Sequence, residues 1–173
     1  MERLALLAVL TCGAGCLSPA DAVDSGASDG AGPAPSDLEG FRQHCLDGLN
    51  AYRATAGVSA LLRSSQLDDF AQAGSVELSM DHQAHQHFVT ASQNGTLFSS
   101  GFDGAAAENQ GDQNGWMPGP EAGAIDQILA AMIAEGPGGG HHDAIVMPGY
   151  HKVGVGLLED SANRLYFTND FSP

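Results

Sequence analysis

The stretch Val153-Gly154-Val155-Gly156-Leu157 alternates an aliphatic side chain with no side chain at all, and no other feature of the chain limits its fold so sharply. Alternation with a period of two is a β-strand with one apolar face. On the other face two glycines leave bare backbone, which weakens the strand but lets a helix or loop approach closely. Leu165, Phe167 and Phe171 share a face after the polar turn Glu159 to Asn163, so a second strand follows. The C-terminus is predicted to be an antiparallel hairpin with something packed tightly on its glycine side.

Upstream the period is helical. Ser36-Asp37-Leu38-Glu39 fits a capping box, and Leu38, Phe41, Cys45, Leu49 and Tyr52 recur every three or four residues, predicting a helix from about Asp37 to Ala56. Cys45 lies on that stripe and reads as a small buried hydrophobe. Ser64 or Ser65 caps a second helix, with Leu67, Phe70, Ala71, Gly74 and Leu78 on its buried face. Pro120 and Glu121 open a third, whose stripe is Ile125, Ile128, Leu129, Met132 and Ile133, and Gly136-Pro137 closes it. Helices first and strands last indicate an α+β domain, with helices covering a small antiparallel sheet.

At 173 residues the chain has room for one domain and a tail. A net charge of -15 leaves no basic surface for a nucleic-acid backbone. The apolar run Leu4 to Leu10 follows Glu2 and Arg3 and leads through small residues to Cys16, which is a secretory signal too short to span a bilayer. Gly13-Ala14-Gly15-Cys16 resembles the bacterial lipoprotein cleavage box, which makes residues 1–16 a lipoprotein-type signal peptide and Cys16 the lipidated first residue of the mature protein. Ala20-Asp21-Ala22 offers ordinary signal peptidase an alternative site that would release a soluble protein. Residues 17–37, rich in Ala, Gly, Ser, Pro and Asp, read as a flexible acidic linker, and residues 38–173 as the folded domain. The expected location is outside the cytoplasm: a lipoprotein of a bacterial outer membrane or cell surface, touching the membrane only through its lipid, or a secreted protein.

Familiar catalytic signatures are missing: no His-Glu-x-x-His helix, no Gly-x-Ser-x-Gly elbow, no phosphate loop and no dinucleotide fingerprint. Histidine remains. Five of the seven lie in two short segments, His82, His85 and His87, then His141-His142 after a run of glycines. Imidazole is a common metal ligand and acid-base group, whereas a polar helix end and a polar loop would explain the same residues without function.

The run Leu49-Asn50-Ala51-Tyr52-Arg53-Ala54-Thr55-Ala56-Gly57-Val58, an Ala-Gln helix, a His, Ala107-Glu108-Asn109, Gly140-His141, Val153-Gly154-Val155-Gly156 and a closing aromatic strand together resemble the CAP superfamily, whose bacterial members are called SCP domains. The resemblance covers about residues 43–173 and implies an α-β-α sandwich with a cleft lined by two His and two Glu. Position by position it carries over to Glu108, with Ala107 in place of a Gly; to His141, with His142 where an aromatic residue or Arg is common; and to Glu135, with Met132 where a Trp is usual. For the first histidine His87 fits best and His85 second. Two imidazoles and two carboxylates suit zinc or another divalent ion if three of them approach a common centre; the bland alternative is a hydrogen-bonded brace. Together with the Cys16 signal, the resemblance implies an envelope-anchored module binding a metal, small molecule, lipid or protein, with a metal-assisted hydrolase of extracellular peptides or esters and a non-catalytic surface interaction protein as alternatives. No catalytic residue is assigned.

Overall fold

A computed structural model describes residues 37–112, 122–162 and 164–173. The signal segment, Cys16, Ser36, Pro120, Glu121 and all but the last residue of the linker lie outside them. Among the described residues five α-helices and four strands run in the order α1 (Leu38–Thr55), β1 (Leu62–Arg63), α2 (Ser65–Asp81), α3 (Gln86–Gln93), β2 (Ala107–Gly111), α4 (Ala122–Ala134), α5 (Gly140–Val146), β3 (Lys152–Glu159) and β4 (Leu165–Ser172). The sheet order is β1-β3-β4-β2, with β1 parallel to β3 and the other pairs antiparallel. The predicted hairpin is therefore the centre of a mixed sheet. The two outer strands add no hydrophobic alternation of their own, since β1 has two residues and β2 reads Ala-Glu-Asn-Gln-Gly.

The sheet has two unlike faces. Val153, Val155 and Leu157 on β3 and Leu165, Phe167 and Phe171 on β4 join Phe41, Cys45 and Leu49 of α1, Ile125, Ile128, Leu129 and Met132 of α4 and Ile145 of α5 in one core. The third-helix stripe is buried as its spacing predicts, with Ile133 packed at the margin. The opposite face presents Gly154 and Gly156, then Thr168 and Asp170, then Glu108 and Gln110, and α2 lies across it. A methyl at Gly154 would strike the backbone of Leu67, and one at Gly156 the backbone of Ala71. Glycine stands there because the helix rests on the strand itself. Ser64 caps α2, its hydroxyl accepting from the Leu67 N–H at 3.5 Å. A smaller cluster of Leu67, Phe70, Phe88, Ala91 and Phe102 seals the far side of α2 against α3.

Beyond the short β1, the outer edge of β3 is closed by side chains. Gln72 accepts from the Leu157 N–H at 3.2 Å and donates to the Leu157 carbonyl at 2.8 Å, as a neighbouring strand would. Asp68 accepts from the Val155 N–H at 2.9 Å and Arg42 donates to the Val155 carbonyl at 2.8 Å. An edge finished in this way offers no template to a passing strand.

Gly154→Ala should lower the melting temperature by about 5 °C or more, since the added methyl meets helix backbone that cannot rotate away. Gly149→Ala, with nothing within 4 Å of the new atom, should stay within about 0.5 kcal/mol of the wild type. Thermal denaturation of both variants checks this; an unchanged Gly154→Ala protein would mean that the helix is not pinned there.

Candidate functional site

Strand β2 lies at one edge of the sheet, and its consecutive residues Glu108 and Asn109 point to opposite faces. Each holds one half of the candidate site.

On the α2 side, the chain leaves α2 through His82 (φ 55°) and enters α3 through His85 (φ 66°), the only non-glycine residues with positive φ among those described. Left-handed backbone costs a residue with a Cβ about 1–2 kcal/mol, and hydrogen bonds from β2 hold the turn in place. His82 Nδ1 meets the Asp112 carboxylate at 3.1 Å, just past the end of β2. The His85 N–H donates to Gln110 Oε1 at 2.5 Å, and Gln110 in turn donates to Thr168 Oγ1 at 3.2 Å. Held so, His85 places its Nδ1 3.0 Å from Glu108 Oε1. Glu108 is 1% exposed at its side chain. Burial pushes its carboxyl above the usual range, and the hydrogen bond and charge of His85 oppose that shift.

His87 does not join this pair. Its Nδ1 lies 3.0 Å from Glu77 Oε2 and its ring packs on Phe70 at 4.5 Å. His85 is the left-handed residue before α3 and faces β2, whereas His87, inside the helix, faces back to Glu77 and Phe70 of α2. Of the two histidines the sequence offered, His85 is the one that meets Glu108.

On the other side, Glu135 follows the last turn of α4 and His141 lies in the first turn of α5. Glu135 Oε1 is 2.5 Å from His141 Nδ1, and its Oε2 accepts from the His141 N–H at 3.0 Å. The glycine run between them is required by that closure: Gly136 and Gly138 have φ of 69° and 93°, and a methyl on Gly139 would strike the Glu135 side chain. Asn109 donates to the His141 carbonyl at 3.1 Å, tying this half to β2. His142 instead braces α5 against α1, with Nε2 3.1 Å from the Tyr52 hydroxyl and Nδ1 3.0 Å from Asp143.

The residues assemble as two imidazole–carboxylate pairs, His85–Glu108 and His141–Glu135, flanking one sheet edge. In both, the carboxylate takes Nδ1, and Nε2 has no hydrogen-bond partner among the described residues. A carboxylate on Nδ1 fixes the tautomer and raises the basicity of Nε2, as in metal-ligating histidines. Among the described residues no three of His, Cys, Asp and Glu are grouped to hold an ion, so these side chains by themselves do not complete a zinc shell. Gln110, Asn109 and Asp112 were not singled out from the sequence as supporting residues, although Asn109 stands within the Ala-Glu-Asn motif.

The sequence profile of the cysteine-rich secretory protein family, CAP, matches residues 46–171. Among solved structures, an extracellular protein containing an SCP domain from Bacillus anthracis aligns with a TM-score of 0.60 and 20% identity over 82% of this chain and 45% of that one. This chain thus spans less than half of that protein. An outer surface protein from Borrelia burgdorferi gives 0.60 and 17% over 82% and 97%. NaASP2, solved with Zn2+, gives 0.58 and 16% over 83% and 84%. Similarities at these identities establish the fold. No protein of curated function matches the chain in sequence.

Removing His85 should leave the buried Glu108 without the hydrogen-bond partner of its Oε1. Its carboxyl is already raised in the fold, so its contribution to stability is present below the unfolded carboxylate range of about 4 and is lost as pH rises through the folded value. His85→Ala should therefore lose stability increasingly from pH 4 to 8, by about 1–3 kcal/mol at the upper end, whereas His87→Phe, which keeps the ring on Phe70, should show no added pH dependence. Melting temperatures across that range check the assignment; parallel curves for the two variants would refute it.

Proposed function

Since the chain belongs to the cysteine-rich secretory protein family, CAP, we propose that it is an exported, envelope-anchored binding module whose cleft at the β2 edge takes its ligand through Nε2 of His85 and His141, with a divalent cation such as zinc as the first candidate. The observation that carries this reading is the pairing: both rings are held by carboxylates at Nδ1, and no Ser, Thr or Cys side chain is hydrogen-bonded to either among the described residues. A nucleophile next to its base is what covalent hydrolysis would need. Glu108, buried and engaged by His85, is ill placed to activate water, which favours binding over the hydrolase alternative.

Within the cleft, Glu108 and Glu135 keep the proton on each Nδ1 and orient the rings. Asn109 and Gln110 fix the backbone carrying those rings to a single strand, so the two nitrogens share one rigid support. A bound divalent ion would supply positive charge for an anionic group of a further ligand. Export and anchoring rest on the Leu4 to Leu10 run and on Gly13-Ala14-Gly15-Cys16. The names of two structural relatives, one extracellular and one an outer surface protein, support the same location.

Isothermal titration of the chelator-treated protein with zinc should show saturable binding at neutral pH that weakens in acid, because protons compete for the imidazole nitrogens. His85→Ala and His141→Ala should each abolish it. His44→Ala, on α1 and paired with Asp126 at 2.7 Å, should leave it intact. No saturable binding by the folded protein would remove zinc from the proposal. For the anchor, intact mass of the membrane fraction should show a lipid-modified chain beginning at Cys16; an unmodified chain beginning at Val23 would mean a released protein.

A further inference from the structure

Three buried side-chain oxygens have no hydrogen-bond partner among the described residues, and they belong to two neighbouring carboxyls: Oε2 of Glu108 and both oxygens of Asp170. Asp170 faces Glu108 directly across the β4–β2 ladder, on the same side of the sheet, and is fully buried. No other group among the described residues is available to satisfy them. On its other flank Asp170 faces Gly154, which has no side chain. Above lies α2, which brings Leu67, Ala71, Gly74 and Ser75 to this face, none of them titratable; the Ser75 hydroxyl is committed to Thr168 at 2.9 Å. Asp68 of α2 is turned to the β3 edge, where it pairs with Arg63 at 2.8 Å and accepts from the Val155 N–H. Glu77 and His87 pair with each other, and His85 reaches only Oε1 of Glu108. Two ionised carboxylates opposite one another in such a place would repel at low dielectric, with neither solvated. Among the described side chains, the donor that the two carboxyls can share is a carboxyl proton.

We propose that Asp170 is held as a neutral carboxylic acid that donates its proton in a hydrogen bond to Glu108 Oε2, making it a positioning residue in an Asp170–Glu108–His85 relay. With Oε2 occupied, Glu108 keeps Oε1 for the His85 ring at Nδ1. Burial, and then the Glu108 carboxylate, push the Asp170 carboxyl well above the usual range, which agrees with this placement of the proton. The arrangement extends the carboxylate–imidazole pair by one member, drawn from a strand that supplies no other residue to the cleft. It holds for the metal-free protein and is independent of any ligand that the cleft takes.

The test uses the full mature chain after chelator treatment. Carbon-13 carboxyl resonances should show Asp170 in its acid form at pH 7; an Asp170 that titrates like a surface carboxyl, or a metal ion that survives chelation at this pair, overturns the proposal. Folding of the wild type should take up a proton above pH about 4 that Asp170→Asn does not need. The melting temperature of Asp170→Asn minus that of the wild type should therefore grow by about 3 °C or more between pH 4 and pH 7, and a constant difference overturns it. The amide of Asp170→Asn still donates to Glu108, so this variant should retain the His85 Nδ1–H proton resonance. Asp170→Val should lose it, and retention in a folded Asp170→Val protein would show that Asp170 does not position Glu108. If the valine variant does not fold, the carboxyl resonances and the asparagine comparison decide.

Discussion

The contact between the α2 backbone and bare β3 backbone at Gly154 and Gly156 is the constraint on which the rest of this structure depends. Ordinary helix-on-sheet packing keeps the two backbones apart by a layer of interlocking side chains. Here that layer is missing on one side, so the helix drops onto the strand and covers a sheet face made of glycine and polar residues. Thr168, Gln110, Glu108 and Asp170 are shut away from water by that approach rather than by an apolar shell of their own. Their pairing with Ser75, with the His85 backbone and with one another follows from it, since a buried polar group without a partner is costly.

Two arginines solve the complementary problem of chain segments with too little secondary structure to satisfy their backbone groups. Arg53, at the end of α1 and fully buried, donates to the carbonyls of Ser59, Ile145, Met147 and Tyr150. It thereby ties the link before β1 to the link between α5 and β3, and four neutral carbonyls take the place of a counter-ion. Burial draws its pKa down from the ordinary guanidinium value. Arg42 does similar work at the β3 edge, where it also contacts Glu39, Gln72 and the Asp68 carbonyl. Fixed guanidinium forks can serve several carbonyls at once, which a lysine at either position would not.

The two imidazole–carboxylate pairs are organised by a five-residue strand. Because side chains alternate, Glu108 and Gln110 govern the α2 side while Asn109 governs the side of α4 and α5. β2 lies at the sheet edge, and each imidazole–carboxylate pair is tied to it from its own side. The support is the sheet, and the histidines come from a strained turn and from the first turn of α5 after a glycine-rich loop.

The sequence by itself determined the helices α1, α2 and α4, the hairpin of β3 and β4, the need for close approach at the two glycines, and the family. The elements are properties of period and spacing, and the family was carried by the likeness of several motifs in order. Glu108, Glu135 and His141 were legible as motif positions as well. The choice of His85 over His87 was not, because it depends on the rotation of a turn whose left-handed residues are held by Gln110 and Asp112 from a distant strand. Nor were β1 and β2 legible, being too short and polar to show a period. Asp170 left only the oddity of an acid between Asn169 and Phe171 in an aromatic strand. What that acid faces was decided by strand register, and whether it carries a charge by burial. Both are set by contacts between residues that are remote in the chain, on which local pattern carries no information.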